Sequence, residues 1–343
     1  MFNNKIILIT GGTGSFGREF CKSILEKFSP KKVIIYSRDE FKQYEMKMEM
    51  EQLFSKKKNS CLRFFIGDIR DLDRLKMSMK DTDYVIHAAA LKHVPTAEYN
   101  PMEFVKTNIN GSENIVLASI SQKVKKIIAL STDKAANPIN FYGASKLASD
   151  KIFIAANNVV GKQNTSFSVV RYGNVINSRG SIVPLFKKYI KENKKFLPIT
   201  DKRMTRFFIT LNQSVEFVIK SFKRMSGGEI FVPKIPSIKI VDLAKAMAPN
   251  LKQKIVGIRF GEKLHELMCP NESYAQTYEF KDFFVIFPHG KISNKVKNFK
   301  KKNLENFGKK VKSTFEYDSE KNSDFLSVTE IKNLLKKISN DSI

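Results

Sequence analysis

The chain has 343 residues, and its 60 Lys and Arg against 34 Asp and Glu give a formal net charge of +26. Hydrophobic residues make up 42% and include 28 Phe, which excludes a disordered chain and indicates a sizeable buried core. The three cysteines are widely spaced, so we expect no disulfide framework, no metal site and a cytoplasmic location. No apolar run approaches the ~20 residues of a membrane span, so no membrane insertion is expected.

The positive charge is of the size found in proteins that bind nucleic acid or a membrane surface. The lysines are spread along most of the chain, however, with short clusters at 56–58, 125–126, 194–195 and 300–302. This pattern favours a solvated basic surface over a dedicated groove, because net charge alone governs solubility and non-specific association. We expect no specific nucleic-acid partner, and a basic nucleic-acid-binding protein remains the alternative from another class.

The first two-thirds of the chain alternates short apolar runs with longer amphipathic segments, which is typical of an α/β fold. Each run is nearly continuously apolar and bounded by Gly, Asp, Asn or Pro, as in parallel strands covered by helices on both faces. This rhythm predicts a doubly wound parallel sheet with ligands at the carboxyl ends of its strands. The predicted strands are 5–10, 32–36, 62–66, 84–87, 126–130 and 166–170.

A glycine-rich loop follows the first predicted strand and opens a helix. Gly12, Gly14 and Gly17 have the GxGxxG spacing, which lets backbone N–H groups approach a pyrophosphate at the helix amino terminus. An ordinary glycine-rich turn is the alternative, but the position directly after a strand favours a dinucleotide site in a Rossmann domain. The predicted cofactor-binding loop comprises Gly11, Gly12, Thr13, Gly14, Ser15, Phe16 and Gly17.

The second predicted strand ends near Ser37, Arg38 and Asp39, roughly 20 residues after the last glycine, where the ribose 2′ position is recognised. The Arg38 guanidinium can pair with a 2′-phosphate, assisted by Ser37 and Lys42, so we predict NADP. Asp39 keeps NAD open as the alternative. Further cofactor contacts are expected after the third and fourth strands, at Asp68, Ile69 and Ala88.

The fifth predicted strand brings Thr132, Asp133 and Lys134 to the carboxyl edge of the sheet. Because ligands bind at this edge of such a sheet, the position favours a catalytic role for these residues. The alternative is a solvated ion pair of Asp133 and Lys134, which would contribute little to stability.

Tyr142 and Lys146 have the i, i+4 spacing of one helical face, on a helix that we expect to begin at 137–138. Lys146 would hold the cofactor ribose and lower the pKa of the Tyr142 phenol. Tyr142 would then act as a base on a substrate hydroxyl during hydride transfer.

The glycine loop together with Tyr142-x-x-x-Lys146 resembles the extended short-chain dehydrogenase/reductase superfamily. More narrowly, the chain is similar to the configuration-inverting UDP-N-acetylglucosamine 4,6-dehydratases over about residues 5 to 290. The resemblance implies a cytoplasmic, NADP-dependent lyase that acts on UDP-N-acetylglucosamine in the first step of pseudaminic acid biosynthesis, as a homo-oligomer. A retaining dehydratase or a 4-epimerase of a UDP-sugar remains the nearest alternative. The matching segments are 11–17, 36–40, 87–95, 131–138, 171–175, 204–207 and 261–266.

The resemblance also implies roles for the candidate catalytic residues. Retaining 4,6-dehydratases usually carry Asp-Glu after the threonine, and here the pair is Asp133-Lys134. Tyr142 would take the proton of the 4-hydroxyl, which Thr132 positions, while hydride leaves carbon 4. Lys134, with a lowered pKa, would remove the proton of carbon 5, and a protonated Asp133 would protonate the departing 6-hydroxyl. The division of acid and base between Asp133 and Lys134 stays open.

The second lobe is implied to hold the UDP group. Arginines suit a pyrophosphate, and a carboxylate suits ribose or sugar hydroxyls. The chain departs from the family's usual residues at Asn177, Phe208 and Phe260, which stand where glycine, tryptophan and proline are usual. The expected substrate-binding residues are Lys92, Asn174, Thr205, Arg206, Arg259 and Glu262.

The chain is predicted to divide into three parts. Residues 1–172 form the NADP-binding domain, to which part of 205–235 returns, and 173–290 form mainly a smaller α/β substrate-binding lobe. Residues 291–343 form a basic extension, in which Ser327 and Glu330 predict a capping box for a terminal helix.

Overall fold

The computed structural model describes residues 1–178, 180–288 and 308–340. Apolar runs in these ranges form the strands, and most strands belong to one large sheet. In chain order the strands are β1 (Ile6–Thr10), β2 (Lys32–Ser37), β3 (Leu62–Ile66), β4 (Tyr84–His87), β5 (Lys126–Thr132), β6 (Ser166–Tyr172), β7 (Asn174–Val175), β8 (Phe196–Ile199), β9 (Thr205–Ile209), β10 (Ile230–Pro233), β11 (Ser237–Lys239), β12 (Lys252–Ile255), β13 (Leu267–Cys269), β14 (Thr277–Glu279), β15 (Phe283–Ile286), β16 (Lys309–Lys310) and β17 (Tyr317–Asp318).

Helices follow most strands, and polar side chains fix where several of them begin. Asp39 and Asp71 accept bonds from backbone N–H groups at two helix starts, and Thr210 forms a capping box with Gln213. Within the described ranges, every helix is too short or too polar to cross a bilayer. The helices are α1 (Ser15–Lys27), α2 (Glu40–Leu53), α3 (Lys56–Asn59), α4 (Leu72–Ser78), α5 (Val94–Tyr99), α6 (Pro101–Phe104), α7 (Gly111–Ser121), α8 (Phe141–Ala156), α9 (Ile182–Lys191), α10 (Leu211–Arg224), α11 (Ile240–Met247) and α12 (Val328–Asn340), with a π-helical turn at Val105–Asn110 and 3₁₀ turns at Asp133–Ala135 and Asn271–Gln276.

The six predicted strands are all present and lie parallel, in the order β6-β5-β4-β1-β2-β3. Ile7, Leu8 and Ile9 of β1 are fully or nearly fully buried, because helices cover both faces of the sheet. The predicted doubly wound α/β fold is confirmed. β5 and β6 each run two residues beyond the predicted ends, which carries Thr132 to the carboxyl edge of the sheet.

The large sheet also takes strands from later parts of the chain. β10 lies parallel to β6, and β15, β14 and β16 continue the sheet in antiparallel fashion. β14 and β15 come from the range 173–290, which we expected mainly in the smaller lobe. The Phe283–Ile286 run of β15 is fully buried, so its pairing with β10 extends the core of the sheet.

A second hydrophobic core defines the smaller lobe, where α9, α11 and α12 pack around Val183, Phe186, Leu243 and Ile331. The predicted capping box of α12 is present: the backbone N–H of Ser327 donates to Oε2 of Glu330 over 2.8 Å. α12, expected as part of an extension, therefore packs into this lobe against α11. Residues 291–307 and 341–343 of that predicted extension, including the lysine cluster 300–302, lie outside the described residues.

Candidate active site

The glycine loop after β1 packs too tightly for side chains. A Cβ on Gly11 would lie 2.8 Å from Cα of Ala89, and a Cβ on Gly17 would lie 2.4 Å from the carbonyl oxygen of Gly12. Gly11 also has φ of +63°, which favours glycine. Among the described residues no side chain caps α1 at Gly14, so the helix amino terminus is open to an anion. This cradle fits the pyrophosphate of a dinucleotide.

The residues after β2 lie where a ribose 2′ substituent would be recognised. Asp39 is occupied: its carboxylate caps α2 by accepting from Lys42 N–H over 3.0 Å, and it also pairs with the Lys42 ammonium. Arg38 is more than half exposed, and its Nη1 lies 3.4 Å from Oδ2 of Asp68. Asp68 itself is held by Arg70, which donates to Oδ2 over 2.7 Å. The exposed guanidinium of Arg38 is therefore available to an added phosphate, whereas Asp39 is already engaged.

The other predicted cofactor residues lie around the same edge of the sheet. The Ser37 hydroxyl accepts from Gln43 Nε2 over 3.0 Å, and Ala88 N–H donates to Thr10 in β1. Ile69 is buried and packs near Gly111, so its side chain has no open face for a cofactor and only its backbone is suited to such a contact.

β5 ends in a 3₁₀ turn that carries the predicted catalytic residues. The Thr132 hydroxyl accepts from Lys134 N–H over 3.3 Å, which caps the turn, and donates to Oδ1 of Asp133 over 2.9 Å. This local hydrogen bonding turns the chain sharply at the strand end and buries the Asp133 carboxyl completely. The structure thus brings Thr132, Asp133 and Lys134 together.

α8 places Tyr142 and Lys146 beside this turn. The helix begins at Phe141, and its cap is Asn140, whose Oδ1 accepts from Gly143 N–H over 2.7 Å. The expectation that it begins at 137–138 is wrong, because Asn137 has φ of +45°, outside the helical region. A Cβ on Gly143 would lie 2.3 Å from the carbonyl oxygen of Lys134, so the helix packs directly on the turn.

Lys134 lies between two buried carboxylates. Its Nζ is 3.0 Å from Oδ1 of Asp133 and 2.9 Å from Oε1 of Glu266. The Lys134 side chain keeps 22% of its surface exposed, whereas the carboxylates keep 1% and 2%. Lys134 is therefore the member of this group that faces an incoming substrate.

The two carboxylates differ in their pKa values. Burial raises the pKa of Asp133, and the charge of Glu266 raises it further. The charges of Lys134 and Arg206 outweigh burial at Glu266 and lower the pKa of its carboxyl. Asp133 is thus the group that favours the protonated form, while Glu266 carries the negative charge that pairs with Lys134.

The pKa of Lys134 departs from the expectation. Burial lowers it, but the charges of Asp133 and Glu266 outweigh burial and raise the pKa above the ordinary value for lysine. The prediction of a lowered pKa is wrong for this state of the protein, because the second carboxylate comes from a distant part of the chain. Lys134 is an ammonium here, and it must lose a proton before it can accept one.

The pKa of the Tyr142 phenol also departs from the expectation of a lowered value. Burial raises it to about 12, and the charge of Lys134 and the hydroxyl of Thr132 oppose this effect. Lys146 Nζ donates to the carbonyl of Leu130 over 2.8 Å, and burial lowers the pKa of this lysine. The cation that acts on the phenol is therefore Lys134, on the neighbouring turn.

The predicted substrate residues fall into two groups. Arg206 is buried and lies 3.6 Å from Glu262, which also pairs with the exposed Arg259 at 3.3 Å. Oδ1 of Asn174 is buried and has no hydrogen-bond partner among the described residues. Thr205 differs: its hydroxyl lies 2.8 Å from Nδ1 of His265 and 2.7 Å from Oγ of Ser319, so it holds this part of the lobe together. These contacts engage the Thr205 hydroxyl within the lobe, so they do not support the predicted role of Thr205 in binding substrate.

The loop before β13 adds residues that we did not select from the sequence. Lys263 Nζ donates to the carbonyl of Ala136 over 2.6 Å, and Gly261 accepts from Asn140 Nδ2 over 2.7 Å. Together with the contact between Glu266 and Lys134, these hydrogen bonds hold the loop against the catalytic turn and the start of α8. The segment 261–266 was noted for its resemblance, but no local pattern connects Glu266 with Lys134. Partial burial, and then the charge of Lys134, lower the pKa of Lys92. The Lys92 ammonium is therefore close enough to Lys134 for the two charges to interact.

Known proteins resemble this chain in sequence and in fold. A family model described as polysaccharide biosynthesis protein matches residues 7–288. A UDP-N-acetylglucosamine 4,6-dehydratase (inverting) of Campylobacter jejuni subsp. jejuni serotype O:23/36 (strain 81-176) is 56% identical over 335 residues, which cover 98% of each chain. A UDP-glucose 4-epimerase of Rickettsia bellii (strain OSU 85-389) is 42% identical over 343 residues, 98% of this chain and 96% of its own. The X-ray structure of Pen from Bacillus thuringiensis superposes with a TM-score of 0.88, 37% identity and 99% coverage of both chains. These matches confirm the resemblance stated above, and the chain belongs to the polysaccharide biosynthesis protein family.

Proposed function

We propose that this chain is an NADP-dependent UDP-N-acetylglucosamine 4,6-dehydratase, a hydro-lyase that inverts carbon 5 of the sugar. It would catalyse the first step of pseudaminic acid biosynthesis, in the cytoplasm and as a homo-oligomer. The observation that carries the proposal is the pair at the end of β5 beside Tyr142, in which the buried Asp133 carboxyl lies 3.0 Å from the partly exposed Lys134 ammonium. The name of the Campylobacter jejuni relative supports the same reaction.

The glycine loop would hold the cofactor's pyrophosphate, and Arg38 would hold the 2′-phosphate. The cradle at Gly11 and Gly17 and the exposed guanidinium of Arg38 support this assignment. Lys146, whose ammonium now bonds to Leu130, would turn to the nicotinamide ribose. When bound, the nicotinamide would supply reversible hydride transfer for carbon 4 and carbon 6 of the sugar.

Tyr142 would take the proton of the 4-hydroxyl while carbon 4 is oxidised to a ketone. Lys134 supports this role, because its charge opposes burial, which raises the pKa of the phenol to about 12. Thr132 would hold the 4-hydroxyl against Tyr142 with its own hydroxyl, which now bonds to Asp133. The ketone at carbon 4 then makes the proton on carbon 5 acidic.

Asp133 and Lys134 would carry out the elimination as a pair. Protonated Asp133 gives its proton to the departing 6-hydroxyl, which leaves as water. Lys134 passes a proton to Asp133 along their 3.0 Å hydrogen bond and, as a neutral amine, takes the proton of carbon 5. Both groups end with the protons that they had at the start, and the sugar has lost one water. After hydride returns to carbon 6, carbon 5 is protonated from the opposite face, which gives the inverted 4-keto-6-deoxy sugar. This proton balances the one that Tyr142 took from the 4-hydroxyl and now releases, so Tyr142 returns to its starting state.

The smaller lobe would hold the UDP group. Arg206 and Arg259 suit the pyrophosphate, and their shared partner Glu262 suits ribose hydroxyls. Asn174 has a buried side-chain oxygen free to accept a hydrogen bond within the described part of the chain. Lys92, near Lys134, would contact the sugar or the cofactor.

Turnover of UDP-N-acetylglucosamine in deuterated water tests the proposal. We expect a product that has lost one water by mass spectrometry, and NMR should show one deuterium on carbon 5 with inverted configuration. Tyr142→Phe should lower kcat by about 10²- to 10⁴-fold without changing the circular dichroism spectrum. Retention of the gluco configuration at carbon 5 would overturn the inverting reaction.

A UDP-sugar 4-epimerase is the second candidate, supported by the name of the Rickettsia bellii relative. An epimerase returns the hydride to carbon 4 and leaves carbon 6 untouched, so substrate and product have the same mass. The acid at Asp133 would have no role in that reaction. A product of unchanged mass, with Asp133→Asn retaining full activity, would favour the epimerase.

A further inference from the structure

Glu266 is a buried carboxylate that nothing above assigns to the reaction. Its Oε1 accepts from Lys134 Nζ at 2.9 Å and lies 3.7 Å from Nε of Arg206. Only 1% of the residue is exposed, so substrate cannot reach it directly. Oε2 has no hydrogen-bond partner in the described ranges, which leaves the contact with Lys134 as the main polar contact of the carboxylate.

The backbone of Glu266 is anchored by the segment that follows β17. Its N–H donates to Oγ of Ser319 over 2.8 Å, and its carbonyl accepts from Ser319 N–H over 2.8 Å. Ser319 Oγ lies in turn 2.7 Å from the Thr205 hydroxyl. Because both backbone groups and the neighbouring strand hold Glu266, its carboxylate is fixed relative to the catalytic turn.

This arrangement determines where Lys134 can be. A lysine ammonium is carried on a flexible four-carbon chain and would otherwise sample many positions. Here its ammonium is held between Oε1 of Glu266 and Oδ1 of Asp133, at 2.9 and 3.0 Å. Such a position allows proton exchange with Asp133 and leaves the exposed side of the ammonium toward the cleft.

We propose that Glu266 is a positioning residue, which fixes the Lys134 ammonium against Asp133 and thereby determines that Lys134 enters the elimination as a cation. The inference rests on the proposed function and deepens it. Glu266 touches neither substrate nor cofactor, so it acts through Lys134. The first oxidation uses Tyr142 and the cofactor and depends on Lys134 only through its charge on the phenol. Lys134 keeps that charge without Glu266, because Oδ1 of Asp133 still lies 3.0 Å from its ammonium.

Glu266→Gln tests the proposal, because it keeps the shape of the side chain and removes its charge. We expect kcat for dehydration to fall about 100-fold, as for loss of a positioned acid–base group, with KM changed less than about threefold. Reduced nicotinamide, followed by its absorbance in a single turnover, should still form at close to the wild-type rate. Glu266→Asp should recover part of the lost kcat, because it restores the charge at a greater distance.

The pH profile separates this role from a structural one. Removing the negative charge of Glu266 lowers the pKa of Asp133 and of Lys134, so both lose their protons at lower pH. The alkaline limb of kcat should therefore move to lower pH by at least about half a unit. The other charged or titratable groups around the pair stay in place in the variant: Arg206, Lys263, Lys92 and Tyr142.

Glu279→Gln is the matched control, since Glu279 is exposed and pairs with Lys234 far from the turn. It should leave kcat and the pH profile unchanged. Should Glu266→Gln fail to fold, Ser319→Ala provides a second variant. It removes the hydrogen bond between Glu266 N–H and Ser319 Oγ. Because the carboxylate can then move away from Lys134, we expect a lower kcat and an alkaline limb displaced in the same direction, by less than removal of the charge would displace it. If the wild type dehydrates the substrate and folded Glu266→Gln has the wild-type kcat and pH profile, this inference alone is overturned. Absence of wild-type dehydration would overturn the proposed function and the inference with it.

Discussion

Asp150 and Arg171 form an ion pair in the interior of the protein, with 3.0 Å between Oδ2 of Asp150 and Nη2 of Arg171. The same carboxylate oxygen accepts from the Ser131 hydroxyl over 2.8 Å, and Arg171 Nη1 donates to the carbonyl of Met268 over 2.9 Å. The pair thus ties α8, β5, β6 and β13 together directly behind the catalytic turn. Its charges sit next to Lys146, whose pKa the Asp150 charge raises against the larger effect of burial.

Breaking this pair should destabilise the fold. Asp150→Asn leaves the buried Arg171 charge uncompensated, so we expect the free energy of unfolding to fall by about 3–5 kcal/mol. Chemical denaturation followed by circular dichroism measures this change. Arg203→Ala, which removes an exposed ion pair with Asp201, is the control and should leave stability unchanged. Equal stability of Asp150→Asn and wild type would show that the pair contributes little.

Arg38 should determine the preference for NADP over NAD. Arg38→Ala removes a charge-assisted bond to the 2′-phosphate, worth about 1.5–3 kcal/mol, so NADP affinity should fall by about 10- to 100-fold. NAD affinity should change by less than about threefold. Isothermal titration calorimetry after removal of bound nucleotide measures both. Arg63→Ala, at the opposite end of β3, serves as the control. A parallel loss of affinity for both nucleotides would contradict the role of Arg38 in recognising the phosphate.

Gly143 should be essential to the geometry of the catalytic turn, although it carries no side chain. A Cβ at this position would lie 2.3 Å from the Lys134 carbonyl oxygen and 3.0 Å from Cβ of Pro138. Gly143→Ala must therefore push α8 away from the turn, at a cost of about 1–3 kcal/mol in stability. We expect a lower melting temperature and a kcat reduced about tenfold or more. Ala144→Ser, at the exposed neighbouring position, should behave as wild type.

His87 should make the protein less stable in acid. It is buried against Phe153, with Nδ1 2.8 Å from the Thr10 hydroxyl, and burial lowers its pKa from 6.5 to about 3, with Lys146 adding to the shift. Between these values the unfolded chain binds a proton that the folded protein does not. The free energy of unfolding should therefore fall by about 1.4 kcal/mol for each pH unit as pH drops through this window.

His87→Gln should remove this part of the pH dependence, because glutamine does not titrate. Urea unfolding at about pH 6 and about pH 4 compares the variant with wild type, whose carboxylates titrate equally in both proteins. His93→Gln changes an exposed histidine and should keep the wild-type slope. Identical slopes for His87→Gln and wild type would show that His87 is protonated in the folded state.

Local patterns were sufficient to predict the parallel sheet and the residues at its carboxyl edge. The apolar runs of β1 to β6 are short and bounded by turn residues, so each strand could be recognised from its own few residues. The same holds for the glycine loop and for Tyr142 and Lys146, whose common face follows from helical spacing. The start of α8 was placed too early, because Asn137 followed by Pro138 is typical of a helix start. In the fold Asn137 has φ of +45°, and the cap is Asn140, whose backbone is extended.

The protonation of the catalytic group, by contrast, depends on tertiary structure. The pKa of Lys134 reflects how deeply the fold buries it and which charges come close to it, and Glu266 reaches it from another part of the chain. The antiparallel strands β14 and β15 join the large sheet for a related reason, since their partners are distant in sequence. Burial and long-range charge pairs are properties of the folded chain, and no short stretch of residues contains them.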